Sequence, residues 1–277
     1  MNNLNTENSV LQTSLYQTIL VGQFPSTPSL GLLGSQLTNT ASLDRLMSHP
    51  LVSEALQVLD KLPEGLYYHN KQHTVNVISA AVKCAELDGI SSRDLELLAI
   101  AAAWHDTGYI IRRNQNEIIG ADLAREAMIR TGLYLPEEIA QVTAAILDTE
   151  VAMDPASASF IQTARGRLSP WLLDGDLSNF GSSDYMRISL SLLREFSGFH
   201  VRQPEDLRDP RAISFIAGSI RMMCHHKFQS DGGKQLFQSQ KDDTLRALAD
   251  LLAQLDGGTD VSLGNAWNAL MPNGMVD

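Results

Sequence analysis

The sequence predicts a single all-α domain. Three observations carry that expectation. Apolar residues recur at helical spacing over most of residues 43–255, no stretch alternates apolar and polar residues over a useful length, and no internal repeat is present. A chain of 277 residues is also long enough to bury a core without a disulfide or a structural metal. Any metal site in it is therefore expected to serve function rather than folding.

The elements follow in order. "LDRLMSHPLVSEALQVLDKL" carries apolar residues at helical spacing and stops at Pro63 and Gly65. A second helix is expected over about 69–88, with Val75, Ile78, Val82 and Ala85 on one stripe. "DGISSRD" ends it, and Ser92 is placed to cap the next helix. That helix, "DLELLAIAAAWHD", is apolar nearly all round, which marks a buried helix.

"NEIIGADLAREAMIRTG" and "LPEEIAQVTAAILDT" read as two more helices, and a loop with Pro155 and Gly166 leads to "SPWLLDGDLSNFG". Two long helical stretches close the domain, at roughly 183–199 and 211–255. Residues 1–42, rich in Ser, Thr, Asn, Gln and Leu, are expected as a flexible or loosely docked arm, and 256–277 as a peripheral tail.

Composition excludes several functions. With 44% hydrophobic and 19% charged residues the chain reads as globular. A net charge of −11 with no basic run repels long nucleic acid, although a small anion remains a feasible partner. The first basic residue is Arg45 and no apolar run is long enough to span a bilayer, so a cytoplasmic location and no membrane partner are expected. Cys84 and Cys224 lack metal or redox spacing and are expected as buried thiols.

Chemistry enters through ionisable residues in apolar surroundings. His69 and His73 in "YYHNKQHTVNV" are four residues apart, "WHDTG" sets His105 beside Asp106 at the end of the buried helix, and "LLDGDLSNFG" embeds Asp174 and Asp176. Buried singly, each would cost several kcal/mol on the order-of-magnitude scale for uncompensated polar groups; one shared divalent cation would compensate them together. A zincin protease is excluded, because Asn70 stands where that chemistry needs a glutamate after the first histidine.

The order H…HD…D resembles the HD superfamily of metal-dependent phosphohydrolases, and a helical HD/PDEase-like domain over 43–255 is what that resemblance implies. "YHNKQH" looks like the Y-H-N-x-x-H element of cyclic-nucleotide phosphodiesterases, "GDLSNFG" like the segment carrying their last ligand, and "HDTGY…NEIIGADLA" like small HD hydrolases. On that resemblance His73, His105, Asp106 and Asp176 are the metal ligands, with Asp106 also catalytic, and His69 is the general acid. The cofactor would be one divalent transition metal, Mn, Fe, Co, Ni or Zn, since imidazole and carboxylate together suit these better than Mg. Tyr109 replaces the lysine of HDxGK proteins, and Asn116 stands where some relatives carry a histidine, so a second metal is not expected.

Asn70 and Glu117 are candidates to orient ligands or water, Arg112 and Arg113 to hold a phosphate, and His225 or His226 to line the pocket from a late helix. The expected activity is hydrolysis of a small phosphoester, plausibly a nucleotide. Two alternatives remain open at this point: an HD-type di-iron oxygenase, and a non-catalytic nucleotide-binding regulatory protein.

Overall fold

The computed structural model describes residues 40–154, 159–257 and 259–271. The expected arm, residues 1–42, lies almost wholly outside the described residues. The all-α expectation holds: eleven α-helices and one small hairpin make up the described regular structure besides short 3₁₀ turns.

The first expected helix is two. α1 (Thr40–Met47) and α2 (Pro50–Leu59) are separated because Pro50 cannot continue a helix, and the His49 ring caps α2 by accepting the Leu51 N–H at 3.3 Å. α3 (Lys71–Leu87) starts after His69, capped by Asn70. Ser91, not Ser92, caps α4 (Ser92–Trp104) through its Oγ. As its composition implies, α4 is buried on every side from Leu97 to Trp104. α5 (Asn116–Thr131) and α6 (Pro136–Leu147) pack against it.

An unexpected hairpin follows, β1 (Ala152–Asp154) against β2 (Ser159–Ile161), with Met153 opposite Phe160. It is too short for a period-2 pattern to reveal. α7 (Ser169–Asp176) then packs along α3. The second half comprises α8 (Tyr185–Ser197), α9 (Pro210–His225), α10 (Asp231–Gly257) and α11 (Asp260–Leu270).

The single helix expected over 211–255 is broken at 226–230. Buried Asp174 causes the break: its carboxylate accepts the N–H groups of Gln229 (2.7 Å) and Ser230 (2.8 Å) and the Ser230 hydroxyl (2.5 Å), holding this turn out of helical conformation. The C-terminal segment is not wholly peripheral either, since α11 buries Leu263, Trp267 and Leu270. Their apolar area outweighs the flanking polar residues that suggest a tail.

Two hydrophobic clusters organise the fold. The first spans Leu46 to Leu172 around α4, and the second spans Leu177 to Met271 around α8–α11. The chain passes from one to the other between Leu172 and Leu177, and Asp176 falls in that interval. Cys84 is buried, which pushes its thiol up to about 12, whereas Cys224 at the end of α9 is exposed rather than buried. Among the described residues no helix is long and apolar enough to cross a membrane.

Candidate metal centre

Local backbone chemistry aims each side chain. The Asn70 Oδ1 accepts the N–H groups of Gln72 (2.9 Å) and His73 (3.1 Å), while its Nδ2 donates to the Tyr67 carbonyl. Asn70 thus caps the helix at His73. At the end of α4 the backbone changes: His105 is still helical, but Asp106 (φ −100°, ψ 1°) opens a 3₁₀ turn over Thr107–Ile110. That change lets adjacent side chains, about 100° apart on a regular helix, converge on one point.

Asp176 is brought in by Gly175. A Cβ there would stand 2.9 Å from the Val77 carbonyl oxygen and 2.9 Å from the Ala81 nitrogen, so only glycine allows α7 to press this closely on α3. Gly120 does the same for α5, whose backbone approaches the carbonyls of Trp104 and His105.

The result is a compact cluster. Ligand atoms of His73, His105 and Asp106 lie within 4.8 Å of one another. The Asp106 Oδ2 is 3.5 Å from His73 Nε2 and 3.2 Å from His105 Nε2. The Asp176 Oδ1 is 3.2 Å from His73 Nε2 and 3.6 Å from His105 Nε2. The other Asp176 oxygen accepts from Gln162 Nε2 at 2.7 Å, which fixes the carboxylate plane.

These residues fit a divalent cation. The His105 Nδ1 donates to the Ala102 carbonyl at 2.7 Å, so in the neutral ring the Nε2 lone pair faces the cluster. That Nε2 and the Asp106 Oδ2 are both buried without a hydrogen-bond partner. Two such atoms side by side are costly unless a cation satisfies both. The electrostatics agree. Burial opposes ionisation of Asp106, but His105 above all, then His69 and His73, hold its carboxyl below the usual range. Burial likewise opposes charge on His105, and the Asp106 and Asp176 carboxylates overcome it. The cluster favours positive charge at its centre.

His69 lies just ahead of α3, its ring 6.0 Å from that of His73 and stacked on Tyr109 at 4.5 Å. Its Nδ1 is 2.6 Å from the Glu195 Oε1, and the Glu195 Oε2 accepts the N–H groups of Tyr68 (2.8 Å) and His69 (3.1 Å). Burial alone would lower the His69 pKa. The hydrogen bond to Glu195 and the carboxylates of Asp106, Glu195 and Asp176 outweigh it and raise the pKa above 6.5.

Residues 71–168 match the family model of the HD domain. That segment is similar to an HD domain. The match includes His73, His105, Asp106, Glu117 and Gln162 but neither Tyr68–Asn70 nor Asp176, so it does not carry the Y-H-N-x-x-H resemblance. No curated protein and no solved structure matches the chain. An HD domain typically binds a divalent metal, and its presence suggests metal-dependent phosphohydrolase activity.

The remaining candidates divide. Arg113 and Glu117 line a cavity of about 570 Å³ beside the HD centre, together with His69, Asp106, Asp176, Asn116 and Glu150. Arg113 donates to the Glu195 carbonyl oxygen at 3.2 Å. Burial first, then Asp106 and Glu150, raises the Glu117 pKa. Arg112 does not line this cavity; it is exposed and donates to the Gln115 Oε1 at 2.8 Å. His225 is exposed, and His226 packs between Phe180 and Phe228 beside Lys241; both line a smaller cavity of about 260 Å³ that includes neither His73, His105, Asp106 nor Asp176. The turn at 226–230 is what turns His226 from the HD centre.

Glu195 and Gln162 escaped sequence reasoning. Glu195 sits in "LLREFSGFH", where a charged residue on an amphipathic helix reads as solvated. Gln162 lies in the unrecognised hairpin region. Neither carries a local signal.

Proposed function

We propose that the chain is a metal-dependent phosphohydrolase acting on a small phosphoester, with a functional domain that extends past the matched residues to include Asp176 and Glu195. The observation that carries this reading is the pair of buried, unpartnered atoms, His105 Nε2 and Asp106 Oδ2, facing one another with His73 and Asp176 around them.

His73, His105, Asp106 and Asp176 would hold one divalent transition metal. When bound, such a cation supplies Lewis-acid charge to a phosphoryl oxygen and makes water acidic enough to serve as a nucleophile near neutral pH. Gln162 and Asn70 keep Asp176 and His73 from turning away. Arg113 contributes positive charge at the wall of the adjoining cavity, where a phosphate oxygen would enter.

His69 supplies the proton that the leaving oxygen needs. Glu195 takes a hydrogen bond from Nδ1–H, which leaves the Nε2–H of the protonated ring as the transferable proton. The Glu195 carboxylate favours the protonated ring.

The test is turnover of a phosphoester panel by the full chain loaded in turn with Mn, Fe, Co, Ni or Zn. Release of phosphate or of the alcohol that stops on chelation and in Asp106→Ala supports the reading. Metal-loaded protein that hydrolyses no member of the panel contradicts it.

A further inference from the structure

A second cavity adjoins the one that Arg113 lines, sharing Val151 and Phe196 with it. It measures about 540 Å³, within the range of small-molecule sites, and shares His69 and Asp176 with the centre. Leu177, Phe180 and Tyr185 of the second cluster line it, with Phe215 and Met222 packed against that cluster. Tyr68, Phe160, Phe180, Tyr185, Phe196 and Phe215 supply aromatic surface, and one stripe of α9, Phe215, Gly218, Ser219 and Met222, forms a face at helical spacing. Phe160 and Phe196 are about half exposed or more at its rim.

The charges around it are as informative. No lysine or arginine lines this cavity, and apart from the tyrosines its ionisable groups are His69 and Asp176. In the adjoining cavity Arg113 stands against Asp106, Glu117 and Glu150. Of the polar groups lining the apolar cavity, the Ser189 hydroxyl donates to the Met186 carbonyl at 3.0 Å, whereas the Asn179 Oδ1 is buried without a partner. Arg113 is the one lysine or arginine lining either cavity, so a polyphosphate would meet few cationic partners, and a group rich in hydrogen-bonding edges would find few unpartnered atoms besides the Asn179 Oδ1.

We infer that the substrate is a phosphoester of low charge whose non-reacting part is an apolar aromatic group seated in this cavity. The charged end rests on the phosphohydrolase reading; the apolar end rests on the cavity alone. Aryl surface buried between Phe215, Phe180 and Tyr68 would supply binding that a small alkyl ester lacks.

Binding separates the two readings, because it needs no turnover. The full chain, metal-loaded, is titrated calorimetrically with naphthylmethylphosphonate, methylphosphonate and a nucleoside triphosphate. The aryl compound is expected to bind at least about tenfold more tightly than the methyl compound, and more tightly than the triphosphate. Gly218→Leu, which projects into space with no atom within 4 Å of the new Cβ, is expected to shrink the aryl preference to about threefold or less. Phe215→Ala should do so by removing a wall. Helical circular dichroism and metal content check that both variants fold.

Equal binding of the aryl and methyl compounds, an aryl preference unchanged in both folded variants, or tighter binding of the triphosphate would each overturn the inference. Failure of all three ligands to bind would overturn it too. A retained aryl preference without hydrolysis of any ester would count against the phosphohydrolase reading alone.

Discussion

His69 Nδ1 lies 2.6 Å from the Glu195 Oε1, a contact between residues 126 positions apart that fixes which nitrogen of the proposed acid faces the HD centre. Glu195→Gln keeps the shape and removes the charge. It is expected to lower kcat by about tenfold to a hundredfold, since a mis-set tautomer leaves the wrong nitrogen presented. It should also move the alkaline limb of the kcat/KM profile to lower pH, because the carboxylate that raises the His69 pKa is gone. A limb that stays in place would show that another group donates the proton.

The same pair makes stability depend on pH. His69 has a raised folded pKa, so its contribution is full below 6.5 and is lost as pH rises through the raised value. Burial disfavours ionised Glu195, but His69 and the two backbone N–H groups lower its pKa below 4.5, so its contribution is full above 4.5 and is lost as pH falls through the lowered value. Both are complete between 4.5 and 6.5. Thermal unfolding of native protein against Glu195→Gln should therefore differ most in that window, and a difference that peaks above it would refute the pairing.

Gly175→Ala tests the close packing of α7 on α3. The added Cβ meets two backbone atoms at 2.9 Å, and neither can move as a side-chain tip would. A loss of about 1–3 kcal/mol in unfolding free energy is expected from overpacking of this kind. Metal affinity should fall with it, as Asp176 is displaced from His73. An unchanged midpoint and unchanged affinity would mean that the two helices are free to separate.

The two arginines after the HD turn should behave differently. Arg113→Met is expected to raise KM by roughly tenfold, the loss of one charged hydrogen bond. Arg112→Met should change KM by less than about twofold, as for a solvated residue away from such features. Equal effects would remove Arg113 from the phosphate-binding wall.

Much of this was legible in the sequence, and the reason is locality. His105, Asp106 and Asp176 sit in short segments whose apolar neighbours announce burial, His73 stands four residues after His69 ahead of an apolar run, and the glycine that seats Asp176 is its immediate neighbour. The buried helix around Leu97–Trp104 was equally plain. What escaped depends on distant partners. Glu195 looks solvated until Tyr68 and His69 are folded against it, and the break at 226–230 exists because Asp174 captures two N–H groups from more than fifty residues away. His226 was expected on a helix facing the site for want of that knowledge. The two-residue shift of the α3 start likewise turns on a cap, Asn70, whose competition with Ser, Thr or Lys nearby no periodicity can decide.

The most direct measurement is metal content per chain, by elemental mass spectrometry on the full protein purified without chelator or nickel affinity. The account predicts about one transition metal per chain, lost in Asp106→Ala and released with uptake of protons on acidification. No metal after purification, and none taken up from Mn, Fe, Co, Ni or Zn, would contradict it; about two irons per chain would turn it toward oxygen chemistry instead.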